Sequence, residues 1–251
     1  MQEDCGVAKI KAERRLKIWM QALVLTAVFL FYPVSALWTW EEIEELEETA
    51  SGGEAVQPGE DVPEEEKPRI ALTFDDGPST KYTPVLLDGL KERDVRATFF
   101  VIGANIEKDD NAALIRRMKA EGHVIGNHTY HHVDLSKMDV LQAQEEIMMT
   151  DQLIEEITGE EPFLVRPPFG AFPKEAEEEG KLYVKWTVDS EDWVLQNTEA
   201  AVRKVVADTE ENDIILMHDC YGTSVEAALQ IVDILQERGY EFVTVDELLI
   251  E

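Results

Sequence analysis

This 251-residue chain has little cysteine, and its positive charge is far outnumbered by negative. It carries only two cysteines, Cys5 and Cys220, with a long apolar segment between them. If that segment spans a membrane the two thiols lie on opposite sides; if it is cleaved, Cys5 is lost. Either way no structural disulfide is expected. The stretch beyond it is long enough to build a sufficient core without one. Lys and Arg number 23 against 53 Asp and Glu, a formal net charge of -30. Such a balance argues against electrostatic binding of nucleic acid or of an anionic membrane surface. No internal repeat is present.

Charge and hydropathy divide the chain into four. Residues 1–17 hold Lys9, Lys11, Arg14, Arg15 and Lys17, a basic segment expected in the cytoplasm. Residues 18–40, from Ile18 to Trp40, contain no charged side chain. As a helix this segment would be about 35 Å long at about 1.5 Å per residue, enough to cross a hydrocarbon core of about 30 Å. Two readings fit it: an uncleaved transmembrane anchor, or a signal peptide cleaved near Val34-Ser35-Ala36, just after the helix breaker Pro33. Both export the remainder of the chain, to a membrane-anchored or secreted place in the cell envelope. Residues 41–68 carry a net charge of -11 and are rich in Glu, Gly and Pro, which reads as an acidic linker. Residues 69–251 form the expected folded domain.

In that domain short apolar runs alternate with amphipathic stretches. Strands are expected at Ile70–Phe74, Ala97–Ile102, Val124–Asn127, Phe163–Arg166, Tyr183–Val188, Ile214–Met217 and Phe242–Val245. Helices are expected at Pro84–Arg93, Ala112–Glu121, Val140–Thr158, Ala200–Thr209 and Val225–Arg238, with a short, weak one after Gly170. Glu121-Gly122 and Arg238-Gly239 punctuate helix ends. This alternation predicts an α/β fold with a parallel sheet, and seven strands over this length fit a closed or nearly closed barrel. In a barrel the chemistry sits beyond the C-terminal strand ends.

The unusual polar residues fall there. Asp75-Asp76 follows the first strand, His128-Thr129-Tyr130-His131-His132 the third and Arg166-Pro167-Pro168-Phe169-Gly170 the fourth. Asp189-Ser190-Glu191-Asp192-Trp193 follows the fifth and His218-Asp219 the sixth. Two carboxylates at the mouth of a buried strand are costly unless something uses them, and adjacent residues leaving a strand are expected to point to opposite sides. His128 and His132 have the i, i+4 spacing that one helical turn brings to one face. A zinc peptidase motif would need Glu directly after the first histidine, and Thr129 stands there instead. His131 is expected to face solvent or a wall, and His123 to be structural.

Two histidines and one carboxylate make up the three protein ligands of a catalytic zinc. The second carboxylate then serves as base toward the attacking water, and His218 as general acid for a leaving amine. A nearby negative charge such as Asp192 would hold His218 protonated.

Thr73-Phe74-Asp75-Asp76-Gly77-Pro78, the His128/His132 pair, Arg166-Pro167-Pro168-Phe169-Gly170, Asp189-x-x-Asp192-Trp193 and Leu216-Met217-His218 occur in that order. Together they resemble the five motifs of the NodB-type polysaccharide deacetylases, carbohydrate esterase family 4. The resemblance covers about Arg69 to Glu251. It implies a distorted (β/α) barrel of about seven parallel strands and hydrolysis of N- or O-acetyl groups on a polysaccharide. By that resemblance Asp76, His128 and His132 bind a divalent metal, most commonly Zn2+, with Co2+ or another divalent ion as alternatives. It makes Asp75 the base and His218 the acid, with Arg166 orienting Asp75 and Asp192 pairing with His218. The Phe169 backbone N–H helps hold the oxyanion, Trp193 and Leu216 line the acetyl pocket, and Thr129 steadies the histidine loop by hydrogen bonding. Phe169 replaces the tyrosine frequent at its position, and the Ala171–Lys181 segment is short. Cys220 reads as a packing residue.

The implied partner is an acetylated polysaccharide. A membrane-proximal tether suggests N-acetylglucosamine units of peptidoglycan, with a chitin-like polymer or acetylated xylan as rivals; no carbohydrate-binding module is visible. The alternative of another class is a catalytically idle wall-binding protein on the same fold, against which the intact base, ligand and acid positions count.

Overall fold

The run Ile70-Ala71-Leu72-Thr73-Phe74 is apolar on both faces because it becomes the central strand. In the computed structural model, which describes residues 67–249, it forms β1, Arg69–Asp75, buried beyond its first residue. A strand covered on both faces reads as a continuous apolar run. Ile70, Leu72 and Phe74 point into one core cluster, and Ala71 points into a second with Phe100, Leu164, Val184 and Ile214. The period of two thus puts Ala71, Thr73 and Asp75 on the inner face, with Asp75 last.

Seven further strands follow: β2 Thr98–Val101, β3 Val124–Asn127, β4 Leu164–Val165, β5 Leu182–Tyr183, β6 Val188–Asp189, β7 Ile214–His218 and β8 Glu241–Val243. All pairings are parallel, in the order β5-β4-β3-β2-β1-β7-β6, with β8 pairing β1 as well. Ala71 pairs with Ile214 on one edge and Val243 on the other, so β2 and β8 share the remaining edge of β1 in tandem.

Helices cover the outside: α1 Thr83–Glu92, α2 Gly103–Ile106, α3 Asn111–Ala120, α4 Val140–Thr158, α5 Asp192–Leu195, α6 Thr198–Asp208, α7 Gly222–Glu237 and α8 Val245–Leu249. Their ends follow local chemistry. Asp139 caps α4 by accepting from the Gln142 N–H at 3.0 Å, and Gly159, at φ 77°, closes it in the left-handed conformation that glycine adopts without a Cβ penalty. Asn197 caps α6 by accepting from Ala200 N–H at 2.9 Å.

One expected strand is corrected. Tyr183–Val188 is not continuous: β5 pairs with β4, β6 pairs with β7, and the residues between them belong to no ladder. The chain crosses from one edge of the sheet to the other here, with Val184 N–H still donating to Val165 O and Thr187 N–H already donating to Ile214 O. Among the described residues no ladder joins β5 to β6, so the barrel is open at this seam. The short helices α2, α5 and α8 were not anticipated, because four or five residues are too few to show a helical period.

Among the described residues no helix is long and apolar enough to cross a membrane. The basic segment, the Ile18–Trp40 segment expected as anchor or signal, and residues 41–66 of the linker lie outside the described residues.

Candidate active site

Asp75 ends β1 in register with His218 at the end of β7. Its carboxylate is buried and accepts from Arg166 Nη1 at 2.8 Å. Arg166 is fully buried, and its guanidinium also donates to Thr73 Oγ1 at 2.7 Å and to Lys185 O at 3.1 Å, and it lies 4.0 Å from the Phe100 ring centroid. A charge this deep is tolerable only when paired and hydrogen-bonded. The Lys185 carbonyl comes from the seam between β5 and β6, so the break in the sheet supplies one of these bonds.

Asp76 has φ 72°. The expected divergence of the two carboxylates is therefore corrected: a left-handed residue ends the strand alternation and swings the second side chain back toward the first. His128 Nε2 lies 3.7 Å from Asp75 Oδ2 and 3.5 Å from Asp76 Oδ1. Asp76 Oδ1 is also 3.2 Å from His132 Nε2, and its Oδ2 is 3.9 Å from His218 Nε2. Burial alone would raise the Asp76 carboxyl; the imidazoles of His128, His132 and His218 outweigh it and hold the group below its ordinary range.

The two histidines meet by a different route from the helical turn their spacing suggested. Residues 128–132 form a loop, in which Thr129 and His132 have φ of 64° and 55°. His128 Nδ1 lies 2.5 Å from Arg166 O. A carbonyl only accepts, so Nδ1 carries a proton, and Nε2 is the ring nitrogen left to face the site. Burial lowers the pKa of His132, which favours its neutral form. The Thr129 hydroxyl does not steady the loop by hydrogen bonding as expected: it is buried without a partner among the described residues. The work falls to its backbone, whose N–H donates to Asn127 Oδ1 at 2.7 Å and whose carbonyl accepts from Gly103 N–H at 3.0 Å. A Cβ on Gly103 would stand 2.5 Å from the Tyr130 ring, so the close approach of α2 requires glycine there.

On the opposite wall, His218 Nδ1 donates to Asp192 Oδ1 at 2.8 Å and its backbone N–H donates to Asp192 Oδ2 at 2.9 Å. The other ring nitrogen thus faces Asp76. Burial disfavours the imidazolium, but the Asp192 hydrogen bond and charge, with Asp75 and Asp76 behind them, raise the His218 pKa. Ser190 Oγ donates to Asp192 Oδ1 at 3.0 Å and fixes the carboxylate further. Phe169 is left-handed at φ 59°, its ring is exposed, and that ring sits edge-on to His132 at 5.2 Å. Trp193 is exposed on α5, and Leu216 is buried in β7, two residues before His218. His131 is largely exposed and paired with Glu146. His123 is buried, with Nδ1 accepting from Ala97 N–H and Nε2 without a partner among the described residues; burial lowers its pKa to about 4. Cys220 is half-buried, its thiol pushed up to about 12 by burial first, which keeps it unreactive.

Asp219 had no role assigned from sequence. It is fully buried, accepts from Thr83 Oγ1, and its carboxyl is raised to about 7 by burial. A Cβ on Gly77 would fall 2.3 Å from its Oδ1, so Asp219 occupies the space a side chain at Gly77 would need. Its bond from Thr83 ties the start of α1 to the segment after His218. Asn127, Glu146 and Asp151 were also missed. Nothing in their local pattern separates them from ordinary polar positions, because most of their partners are 15 to 30 residues away.

Asp76, His128 and His132 fit a metal ion. One ligand atom from each lies within 4.8 Å of the others, and Asp76 Oδ1 is buried with no hydrogen-bond partner among the described residues. Two imidazole nitrogens and a carboxylate oxygen are the donor set of many catalytic zinc sites.

Comparison with known proteins shows the family of the chain. Residues 63–183 match the family model for polysaccharide deacetylase. The peptidoglycan-N-acetylglucosamine deacetylase PgdA of Listeria monocytogenes is 42% identical over 181 residues, which are 72% of this chain and 38% of that protein. The chain therefore spans well under half the length of that relative. The peptidoglycan-N-acetylmuramic acid deacetylase PdaC of Bacillus subtilis is 40% identical over 76% of this chain and 41% of its own. The solved structure of PdaC superposes with a TM-score of 0.70 at 39% identity, covering 73% of this chain and 90% of the solved one. A pseudoenzyme of carbohydrate esterase family 4 from Bacillus anthracis has the same fold, with a TM-score of 0.68 at 27% identity over 73% of this chain and 66% of the solved one. By its motifs, its fold and its relatives, the chain belongs to the polysaccharide deacetylases, the NodB-type proteins of carbohydrate esterase family 4.

Proposed function

We propose that the chain is an exported, metal-dependent deacetylase that hydrolyses N-acetyl groups on the aminosugars of peptidoglycan, N-acetylglucosamine foremost. The observation that carries this reading is the convergence of five side chains. Asp76 lies within 4 Å of His128, His132 and His218, and His128 lies within 4 Å of Asp75 as well, with Arg166 and Asp192 fixed behind them. The substrates named for PgdA and PdaC support the choice of polymer. An export segment at 18–40 and a tether at 41–68 would hold the domain beside the wall.

Asp76, His128 and His132 would hold the ion. When bound, a divalent ion supplies Lewis acidity, polarising the acetyl carbonyl and lowering the pKa of water. The chain's own groups do the rest. Asp75, oriented by Arg166, takes a proton from water as the oxygen adds to the acetyl carbon. The Phe169 N–H stabilises the negative charge that develops on the carbonyl oxygen. His218 then gives the Nε2 proton to the sugar nitrogen as the C–N bond breaks, because an amine leaves poorly unless protonated. Acetate and a free amino sugar result. Trp193 and Leu216 would bound the pocket for the acetyl methyl.

Acetate release from N-acetyl-chito-oligomers, peptidoglycan and acetylated xylan, with and without chelator, tests this. Release from the first two, lost with chelator, is expected. Release from xylan alone would move the assignment to an acetylxylan esterase. No release from any glycan with metal supplied would leave an idle wall-binding protein.

The pH profile carries a second expectation. A raised His218 pKa keeps the acid form above the ordinary histidine value of about 6.5. Activity should fall only as pH rises through that raised pKa. Asp192→Asn removes the charge that helps raise it, so the basic limb of kcat/KM should move to lower pH. A profile with no basic limb would remove His218 from the acid role.

A further inference from the structure

Residues 128–132 adopt a conformation their own sequence does not favour. Thr129 is β-branched and His132 bulky, and a left-handed non-glycine residue costs on the order of 1–3 kcal/mol. Such a loop persists only when its surroundings over-determine it. The Thr129 N–H is held by Asn127, itself anchored by donating to Asp151 Oδ1 and Ile147 O on α4 at 2.7 Å each. The Thr129 and Tyr130 carbonyls accept from Gly103 and Ala104 N–H at 3.0 and 2.9 Å. The next two amides go to one side chain. Glu146 Oε2 accepts from Tyr130 N–H at 3.1 Å and His131 N–H at 2.8 Å, while its Oε1 pairs with His131 Nδ1 at 2.7 Å.

Glu146 is itself buried, at 8% exposure, whereas its neighbour Glu145 is exposed. A buried carboxylate without a lysine or arginine partner is expensive. This one has neither among its ion pairs; its bonds all go to Tyr130 and His131. Charge-assisted bonds from two successive amides are strong, and these two residues lie midway between His128 and His132. The helix therefore commits a buried charge to the shape of the loop.

We propose that Glu146 is a positioning residue: by holding the Tyr130 and His131 amides it sets the separation of the two histidine ligands, and so the metal affinity, without touching the ion. The inference rests on Asp76, His128 and His132 being a metal site.

The test uses the full chain as wild type, Glu146→Ala, Glu146→Gln and the control Glu145→Ala. Each is titrated with Zn2+ against a chromophoric chelator, and kcat is measured at saturating Zn2+. Outer-shell partners typically contribute 10–100-fold to metal affinity. Glu146→Ala should weaken zinc by about that factor, while its kcat at saturating zinc stays within about threefold of wild type. Glu146→Gln keeps an oxygen for both amides but loses the charge, so its affinity should fall between Glu146→Ala and wild type, whereas Glu145→Ala should retain wild-type affinity. Unchanged zinc affinity in Glu146→Ala would overturn the proposal. So would a loss of activity that excess zinc fails to restore, or a fall in metal-free Tm with affinity per folded molecule intact, either of which marks a merely structural role. A wild type that takes up no zinc would overturn the metal-site reading, and this one with it.

Discussion

Asp75→Asn should lose about 10²–10⁴-fold in kcat, the usual worth of a positioned general base, while binding metal as the wild type does. The substitution preserves shape. Asparagine keeps an oxygen that Arg166 Nη1 can reach, where the aspartate now accepts at 2.8 Å. What disappears is the negative charge and the capacity to take a proton. A stability cost accompanies it, because Arg166 is fully buried and would keep its charge without the carboxylate. Breaking a buried pair costs about 3–5 kcal/mol when one partner is removed outright. Here the loss should be smaller, since the Thr73, Lys185 and Phe100 contacts of the guanidinium survive. Kinetics, metal analysis and a thermal melt on one preparation separate these effects. Turnover within tenfold of wild type would take Asp75 out of the base role.

Asp76→Ala should abolish metal uptake and, with it, acetate release, to the same level as a chelator; divalent ions should rescue the chelated wild type and not the variant. Asp76 is the only carboxylate of the three-residue cluster, and its Oδ1 has no hydrogen-bond partner among the described residues. The loss of affinity should exceed the 10–100-fold typical of an outer-shell change. Asp76 also sits at φ 72°, where alanine is strained. Asp76→Asn controls for this, because asparagine tolerates the left-handed region and offers a neutral oxygen; its affinity should fall between the two. If Asp75→Asn proves metal-free while Asp76→Ala stays fully loaded, the division of labour within the pair is reversed.

The legible part of the site is the part written as unusual residues at the ends of apolar runs. Asp75, His128, Arg166, Asp192 and His218 are each costly to bury, and each sits where a periodic segment stops. Spacing was a poorer guide to geometry. The i, i+4 interval of His128 and His132 suggested a helical turn, and the structure brings them together through a loop with two left-handed residues. Strand alternation would have sent Asp75 and Asp76 apart, and one positive φ reverses that. The run Tyr183–Val188 has the composition of one strand, yet it serves two edges of the sheet and leaves the barrel open between them. Glu146 and Asp219 gave no signal, since one is a glutamate in an acidic helix and the other an aspartate beside a histidine already noticed.

The sequence by itself determined which chemical groups this protein owns and at which strand ends they stand, because hydrophobic period and turn residues are local and act along the chain. The tertiary structure alone decided where those groups point and what holds them. Side-chain direction at a left-handed residue depends on the packing that imposes it. Thr73, Asp75 and Arg166 come together across 91 to 93 residues, and Glu146 reaches its loop across 15 or 16. Contacts of that span are fixed only when the sheet and helices have assembled, and there the separate aspartates, histidines and arginine become one site.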